Sequence, residues 1–215
     1  MSNNYTEIYE TIYKGGYHKD IELTHTKHIL PLLSNLTNEI IKKSPKNLNV
    51  LDVGCSHGKG MKLMQELGYN VLGTDISETA VNAAIERGFD APNQVKVGSA
   101  TALPFEDDRV DIITTSDVLE HIYPEDVPKV LQEFRRVGSY VVSRIALAPE
   151  KQRGHLLKAH RDGTLKTVSS LHPSVFSPVK WHGLFVASGF TRLDYRVIKG
   201  RNRKPFKYDC VYARA

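Results

Sequence analysis

The apolar positions of this chain change period along its length. Between Ile21 and Lys43 they fall at Leu23, Ile29, Leu30, Leu33, Leu36, Ile40 and Ile41, three and four apart, which is the spacing of one helix face. Pro31 lies inside that stretch and is expected to kink or restart the helix, since it has no amide hydrogen for the preceding turn. Ser44-Pro45 closes it. Beyond that point short apolar runs alternate with helix-spaced segments. Strands are predicted from Leu48 to Val53, Asn70 to Thr74, Gln94 to Val97, Val110 to Thr115 and Ser139 to Leu147. Helices are predicted from Gly58 to Leu67, from an N-cap at Ser77 to Arg87, and from Glu125 to Val137. Gly68 and Gly88 stand where a left-handed residue ends a helix. Strands alternating with helices imply parallel β-α-β units whose sheet is buried on both faces.

The last third departs from this pattern. Residues 148–178 mix Pro, Gly, His, Lys and Ser without a period and read as an inserted loop or lid. Pro178 to Ser188 reads as a short helix closed by Gly189. Phe190 to Ile198 and Pro205 to Ala213 then read as two strands joined by the basic turn KGRNRK, an antiparallel hairpin. The expectation is a single α/β domain over residues 1–215, with residues 1–45 a helical lead-in. Its core is a doubly wound, mostly parallel seven-stranded sheet with a C-terminal antiparallel hairpin.

Composition narrows the setting. With 215 residues, 40% of them hydrophobic and 25% charged, the chain suits one packed domain. No apolar run approaches the ~18–20 residues that span a bilayer, and MSNNYTEIYE lacks the basic start and apolar stretch of a secretory signal. A cytoplasmic protein without a membrane span is expected. The two cysteines, Cys55 and Cys210, make neither a disulfide framework nor a CxxC pair. No metal centre is expected, because His155, His160 and His172 lack a tight pairing such as HxxxH. The net charge of +5 permits an anionic partner without requiring one. Lys199, Arg201, Arg203, Lys204 and Lys207 concentrate that charge and read as a solvated hairpin tip.

Candidate chemistry centres on VLDVGCSHGKG, between the first strand and its helix. In open α/β sheets ligands bind beyond the carboxyl ends of the strands, where the strand order reverses. Gly54 and Gly58 let the backbone approach a ligand closely, and the following helix offers free N–H groups at its positive end. Asp75 ends the second strand, 17 residues after Gly58, where a carboxylate accepts the hydroxyl protons of a ribose. Asp52 precedes the glycines, and a buried acid needs either amide partners or a cationic ligand. The order Gly54-Cys55-Ser56-His57-Gly58 is not the GxGxxG of dinucleotide sites, and GxxxxGK[ST] is absent.

Taken in register, LDVGCSHGKG, VLGTDIS and VGSATALPFEDDRVDIITTSDVLEHI resemble the class I S-adenosylmethionine-dependent methyltransferases of the broad ubiquinone-biosynthesis-like group. The resemblance runs from about Asn49 to Leu147. It implies S-adenosyl-L-methionine as cofactor, a cation that suits an acidic loop better than a pyrophosphate does. It further implies that the loop of Asp52, Gly54, Cys55, Ser56 and Gly58 holds the amino-acid part of the cofactor. Asp75 would bind the ribose with Ile76 beside the adenine; Ser99, Ala100 and Thr101 would cover the adenine, and Ser116, Asp117 and Val118 would lie by the methionine portion. Ser56 replaces the family's usual middle glycine and Ser99 its frequent aspartate, so weaker or altered binding geometry is expected. His57 is expected to be a solvated loop residue.

Methyl transfer from a sulfonium depends mainly on positioning, and a base is optional. In SDVLEHI the best-placed candidates are Asp117, Glu120 and His121, with His121 as catalytic base. Asp117 and His121 would share a face if that turn is helical. The run HPSVFSPVKWHGLFVASGF resembles the tail of some members of the group, which implies that His172 and Trp181 approach the acceptor. Tyr13 and Tyr17, flanking Gly15-Gly16, either fold over the cofactor or pack the first helix. A small-molecule acceptor is the leading expectation. One alternative is a nucleic-acid methyltransferase gripping phosphates with the basic hairpin; against it, SDVL lacks the Asn/Asp-Pro-Pro-aromatic signature. The other is a cofactor-binding subunit without turnover that supports a partner. The oligomeric state is left open.

Overall fold

The computed structural model describes residues 5–16, 24–147, 172–200 and 203–215. The five predicted parallel strands and the predicted hairpin form one sheet. Its strands are β1 (Asn49–Val53), β2 (Asn70–Asp75), β3 (Val95–Val97), β4 (Val110–Ser116), β5 (Gly138–Ala146), β6 (Phe190–Lys199) and β7 (Pro205–Arg214), ordered β3-β2-β1-β4-β5-β7-β6. β1 to β5 run parallel, and β7 inserts antiparallel between β5 and β6. The chain winds outward from β1 in both directions, so the crevice at the carboxyl ends of β1 and β4 is the switch point.

Strand period explains why the central strands read as continuous apolar runs. Leu51, Ile113 and Val141 face one cluster, while their neighbours Val50, Ile112 and Val142 face the other. Helix α1 (Tyr5–Lys14) precedes α2 (Thr24–Asn35), and α3 (Lys59–Glu66) and α4 (Glu78–Glu86) link the first strands. Helix α5 (Val127–Val137) leads into β5, and α6 (Pro178–Ala187) into the hairpin. Ser77 and Ser177 cap α4 and α6, each accepting an amide hydrogen three residues on at 3.2 Å. α2 runs through Pro31 without restarting and widens into a π-helical turn, Leu36–Ile41, closed by Lys42 at φ 56°.

Helix α1 is strapped to the rest of the molecule at both ends. Tyr5 donates to Asp126 at 3.0 Å and accepts from the Tyr123 amide at 2.6 Å, next to α5. Glu10 accepts from the Ser77 hydroxyl at 2.6 Å and from the Thr79 amide and hydroxyl at 3.2 and 2.5 Å, at the start of α4. Burial opposes the charge on Glu10, yet these hydrogen bonds hold its carboxyl down at about 2.

The hairpin corrects one expectation. Lys199, Arg203 and Lys204 are exposed at its tip, but Lys207 is buried on β7. The strand's alternation turns Lys207 and Asp209 to the same face, and Asp209 is fully buried. Arg144 on β5 and Arg196 on β6 stand opposite Asp209 in register and donate to it at 3.1 and 2.8 Å. Among the described residues no helix is long and apolar enough to cross a membrane. Residues 148–171 of the expected lid, with His155 and His160, lie outside the described residues, as do Tyr17 and Arg201.

Candidate active site

The loop after β1 is fastened before it turns. The amides of Gly54 and Cys55 both donate to the Thr74 carbonyl of β2, at 2.8 and 3.0 Å. Gly54, Ser56 and Gly58 then adopt left-handed backbone, with φ of 76°, 51° and 72°. A Cβ at Gly54 would stand 2.4 Å from Val118 Cγ2, and one at Gly58 would stand 2.8 Å from the Phe89 ring. Glycine is therefore demanded at both positions by φ and by space. Ser56 has the same backbone sign at a strain of roughly 1–2 kcal/mol. Its amide donates to Asp75 Oδ2 at 2.9 Å, which shows what the bend does.

Two acids flank this loop, and both are buried. Asp75 also accepts from the Ser77 amide at 3.0 Å, and Tyr13 Oη stands 3.5 Å from it. Burial pushes its carboxyl up to about 6 against the pull of those donors. Asp52 accepts from Thr114 Oγ1 at 3.1 Å, and burial, with Asp75 adding repulsion, pushes it up to about 7. Acids raised in this way favour a ligand that brings positive charge and hydroxyl donors. Burial also drives the Cys55 thiol well above its usual range, so it is no nucleophile. His57 is not solvated: it is 6% exposed, with its ring 5.5 Å from that of Tyr13. Tyr13 is buried where α1 packs beside the loop.

The other cofactor-side candidates join this frame through the strand ends. The Gly98 amide donates to the Asp75 carbonyl at 2.9 Å, which brings Ser99, Ala100 and Thr101 beside β2. Ser99 Oγ is engaged locally, accepting from the Thr101 amide at 3.2 Å and pairing with its hydroxyl at 2.8 Å. Ile76 is half-buried directly after Asp75. Ser116 ends β4 with a buried hydroxyl that has no hydrogen-bond partner among the described residues. Val118 packs on Gly54 and so couples the ends of β1 and β4.

The acceptor side differs from expectation in its local geometry. After β4 the chain makes a 3-10 turn, Leu119–His121, preceded by Asp117 at φ 56°. Asp117 and His121 therefore share no helix face. Asp117 pairs with Lys207, while the His121 ring stands 4.6 Å from that of His172 and 5.8 Å from that of Tyr9. Ser174 ties the returning segment down: its amide donates to the Glu120 carbonyl at 3.2 Å and its hydroxyl to the Ile122 carbonyl at 2.7 Å. Glu120 is fully buried, and burial, then Asp117, push its carboxyl well up, with Lys207 opposing. Trp181 lies in the core with its ring 5.2 Å from Phe176, so it contributes packing.

Sequence reasoning missed Glu10 and Lys207. Glu10 carried no local signal. For Lys207 the signal was a lysine two residues from an aspartate on one face of an otherwise apolar strand.

A family model described as a methyltransferase domain matches residues 51–139. A ubiquinone biosynthesis O-methyltransferase of Rickettsia bellii is 26% identical over 164 residues, which take in 73% of this chain and 67% of that one. The chain spans 59% of the length of a Haemophilus influenzae relative and 31% of a Mycolicibacterium gilvum methyltransferase. Among solved structures, the 1,6-didemethyltoxoflavin-N1-methyltransferase of Burkholderia thailandensis superposes with a TM-score of 0.66 at 16% identity, covering 98% of this chain and 89% of that one. A chain of the complex between the Haloferax volcanii Trm112 methyltransferase activator and a methyltransferase gives 0.67 at 15% identity, covering 99% of each. The matched segment runs from β1 into β5 and contains the bent loop with both of its acids, which identifies that segment as a methyltransferase domain of the class I S-adenosylmethionine-dependent type.

Proposed function

We propose that this protein transfers the methyl group of S-adenosyl-L-methionine to a small-molecule acceptor. One observation carries the reading: two buried acids, Asp52 and Asp75, which burial holds above the ordinary carboxylate range despite their hydrogen bonds, stand on either side of a left-handed loop closed by glycines. When bound, the cofactor supplies an electrophilic methyl carbon on a positively charged sulfur. The loop of Asp52, Gly54, Cys55, Ser56 and Gly58 receives its amino-acid part, and Asp75 receives the ribose hydroxyls. Ile76, Ser99, Ala100 and Thr101 enclose the adenine, and Ser116, Asp117 and Val118 border the methionine portion. His121 receives the acceptor's proton, with His172 at its side.

The activities of the Rickettsia ubiquinone biosynthesis O-methyltransferase and the Burkholderia 1,6-didemethyltoxoflavin-N1-methyltransferase support a small acceptor. The burial of Lys207 weakens a phosphate-gripping hairpin. The Haloferax complex favours a second reading, in which the chain works with a partner subunit; co-purification of a stoichiometric partner would distinguish it. A cytoplasmic setting belongs to this proposal, since Cys55 and Cys210 are both free and buried.

Calorimetry with S-adenosylmethionine and S-adenosylhomocysteine tests the reading. Asp75→Ala should weaken uptake by about 1–3 kcal/mol, roughly 5–150-fold, the scale of hydrogen bonds lost to a charged group. Undiminished affinity in that variant would remove Asp75 from the ribose.

A further inference from the structure

The acceptor side contains an arrangement that proton removal alone does not need. Glu120, His121 and His172 each present a ligand atom, and these atoms all lie within 4.8 Å of one another. The histidines come from segments 51 residues apart in the chain, and the two bonds from Ser174 hold those segments together. Glu120 is fixed from the other side, because its Oε1 accepts from the Ala146 amide at 2.9 Å. Its Oε2 is buried, with the Asp117 carboxylate beside it in place of an N–H donor. A buried carboxylate oxygen in that condition is costly, and a bound cation satisfies it.

The donor set is informative. Two imidazoles and one carboxylate are the three protein ligands of a catalytic zinc site, with the fourth position open. Tetrahedral bonds of ~2.0–2.1 Å place ligand atoms roughly 3.3–3.5 Å apart, so the cluster has to close by about an ångström. The histidine rings meet edge to face at 82°, so the closure calls for rotation about their side-chain bonds. The remaining charged neighbours, Asp117 and Lys207, are paired with each other, which limits the repulsion between the ammonium and a cation.

We propose that Glu120, His121 and His172 bind a divalent transition-metal ion, with zinc the best match, whose remaining coordination position takes an oxygen of the acceptor. The ion site stands on its own side chains; only the acceptor's part rests on the methyl-transfer reading. With the ion bound, the coordinating nitrogen of His121 is committed to it. The acceptor hydroxyl then loses its proton to solvent under the ion's charge, and the bound oxygen keeps the electron pair that attacks the methyl carbon while the carbon–sulfur bond breaks and the sulfur leaves with its pair as the neutral thioether. Without the ion, His121 takes that proton itself.

Equilibrium dialysis of the full chain against Zn2+, and the visible spectrum after Co2+ substitution, read the site directly. The expected result is stoichiometric uptake with the bands of a low-coordinate nitrogen and oxygen site. Uptake should weaken at least ~10-fold in His121→Ala, His172→Ala and Glu120→Gln, whereas His182→Ala should bind as the parent does. Absence of uptake by the parent chain, or equal uptake by all variants, overturns the proposal. Glu120 is fully buried; if Glu120→Gln does not fold, the half-buried His172 decides through its alanine variant. Calorimetry with S-adenosylhomocysteine on the same samples separates the two readings. Nucleoside uptake without metal uptake refutes the metal site alone, and metal uptake without nucleoside uptake refutes methyl transfer alone.

Discussion

The two halves of the crevice are built by different means. On the β1–β2 side the site is mostly backbone, with three left-handed residues in five positions and acids at two adjacent strand ends. On the β4–β5–β7 side it is side chains from distant segments: Glu120 and His121 from one turn, His172 from beyond it, Lys207 from the last strand and Tyr9 from the first helix. A site made of backbone has to be local in sequence, because φ signs and strand ends follow one another along the chain. It also tolerates a change of side chain, as Ser56 shows. A site made of side chains has the opposite properties: its residues are free in sequence and fixed in identity.

The largest effect that tests this contrast lies on the side-chain half. Asp209→Ala leaves the Arg144 guanidinium buried without its carboxylate and should lower stability by about 3–5 kcal/mol in urea unfolding. An unchanged midpoint would show that the cross-strand row of Arg144, Asp209 and Arg196 does not hold the hairpin. Gly54→Ala comes next on the backbone half, at about 2–4 kcal/mol from strain and overpacking together. Adding Val118→Ala should return the overpacking part, because the clash is with its Cγ2. A double variant no better than the single one would assign the whole loss to φ.

The pH response sharpens the same contrast. Asp52 and Asp75 keep their protons in the folded protein to about 7 and about 6, well above their ordinary 3.8. Over that interval the folded state binds more protons than the unfolded one. The stability contributed by these two acids in the ligand-free protein should therefore fall as pH rises from about 4 to about 7. Affinity for the sulfonium nucleoside should climb over the same interval, by up to ~10-fold per pH unit, because the ligand binds the ionised acids. Asp52→Asn should flatten the upper part of both curves, and trends of the same sign would contradict this account. The smallest effect is Ser56→Gly, which should raise stability by about 0.5–1 kcal/mol while keeping the amide that serves Asp75. A decrease would mean that the serine side chain has contacts that outweigh its backbone strain.

The same distinction explains what sequence made legible. The strand alternation, the Ser77 cap, the glycines of the loop and the hairpin are all written within a few residues of where they act, and the structure has them there. Asp75 was legible because one helix and one strand fix its distance from the loop. The burial of His57 was not legible, because it depends on Tyr13 arriving from a helix more than forty residues earlier. The pairing of Lys207 with Asp117 spans 90 residues and hides in the sequence behind Lys199, Arg203 and Lys204, which do point outward. The turn after β4 looked helical by spacing, but Asp117 takes a left-handed backbone and breaks the register that Asp117 and His121 would have shared.

The strap formed by the first helix has a kinetic consequence. Tyr13 lies over the carboxylate that would hold the sugar, and its helix is anchored at Glu10 and at Tyr5. If the nucleoside seats on Asp75 as proposed, its arrival and departure pass Tyr13, and their speed follows how readily that helix lets go. Where departure limits the cycle, loosening a distant anchor with Tyr5→Phe would quicken turnover although the hydroxyl it removes never meets a reacting atom.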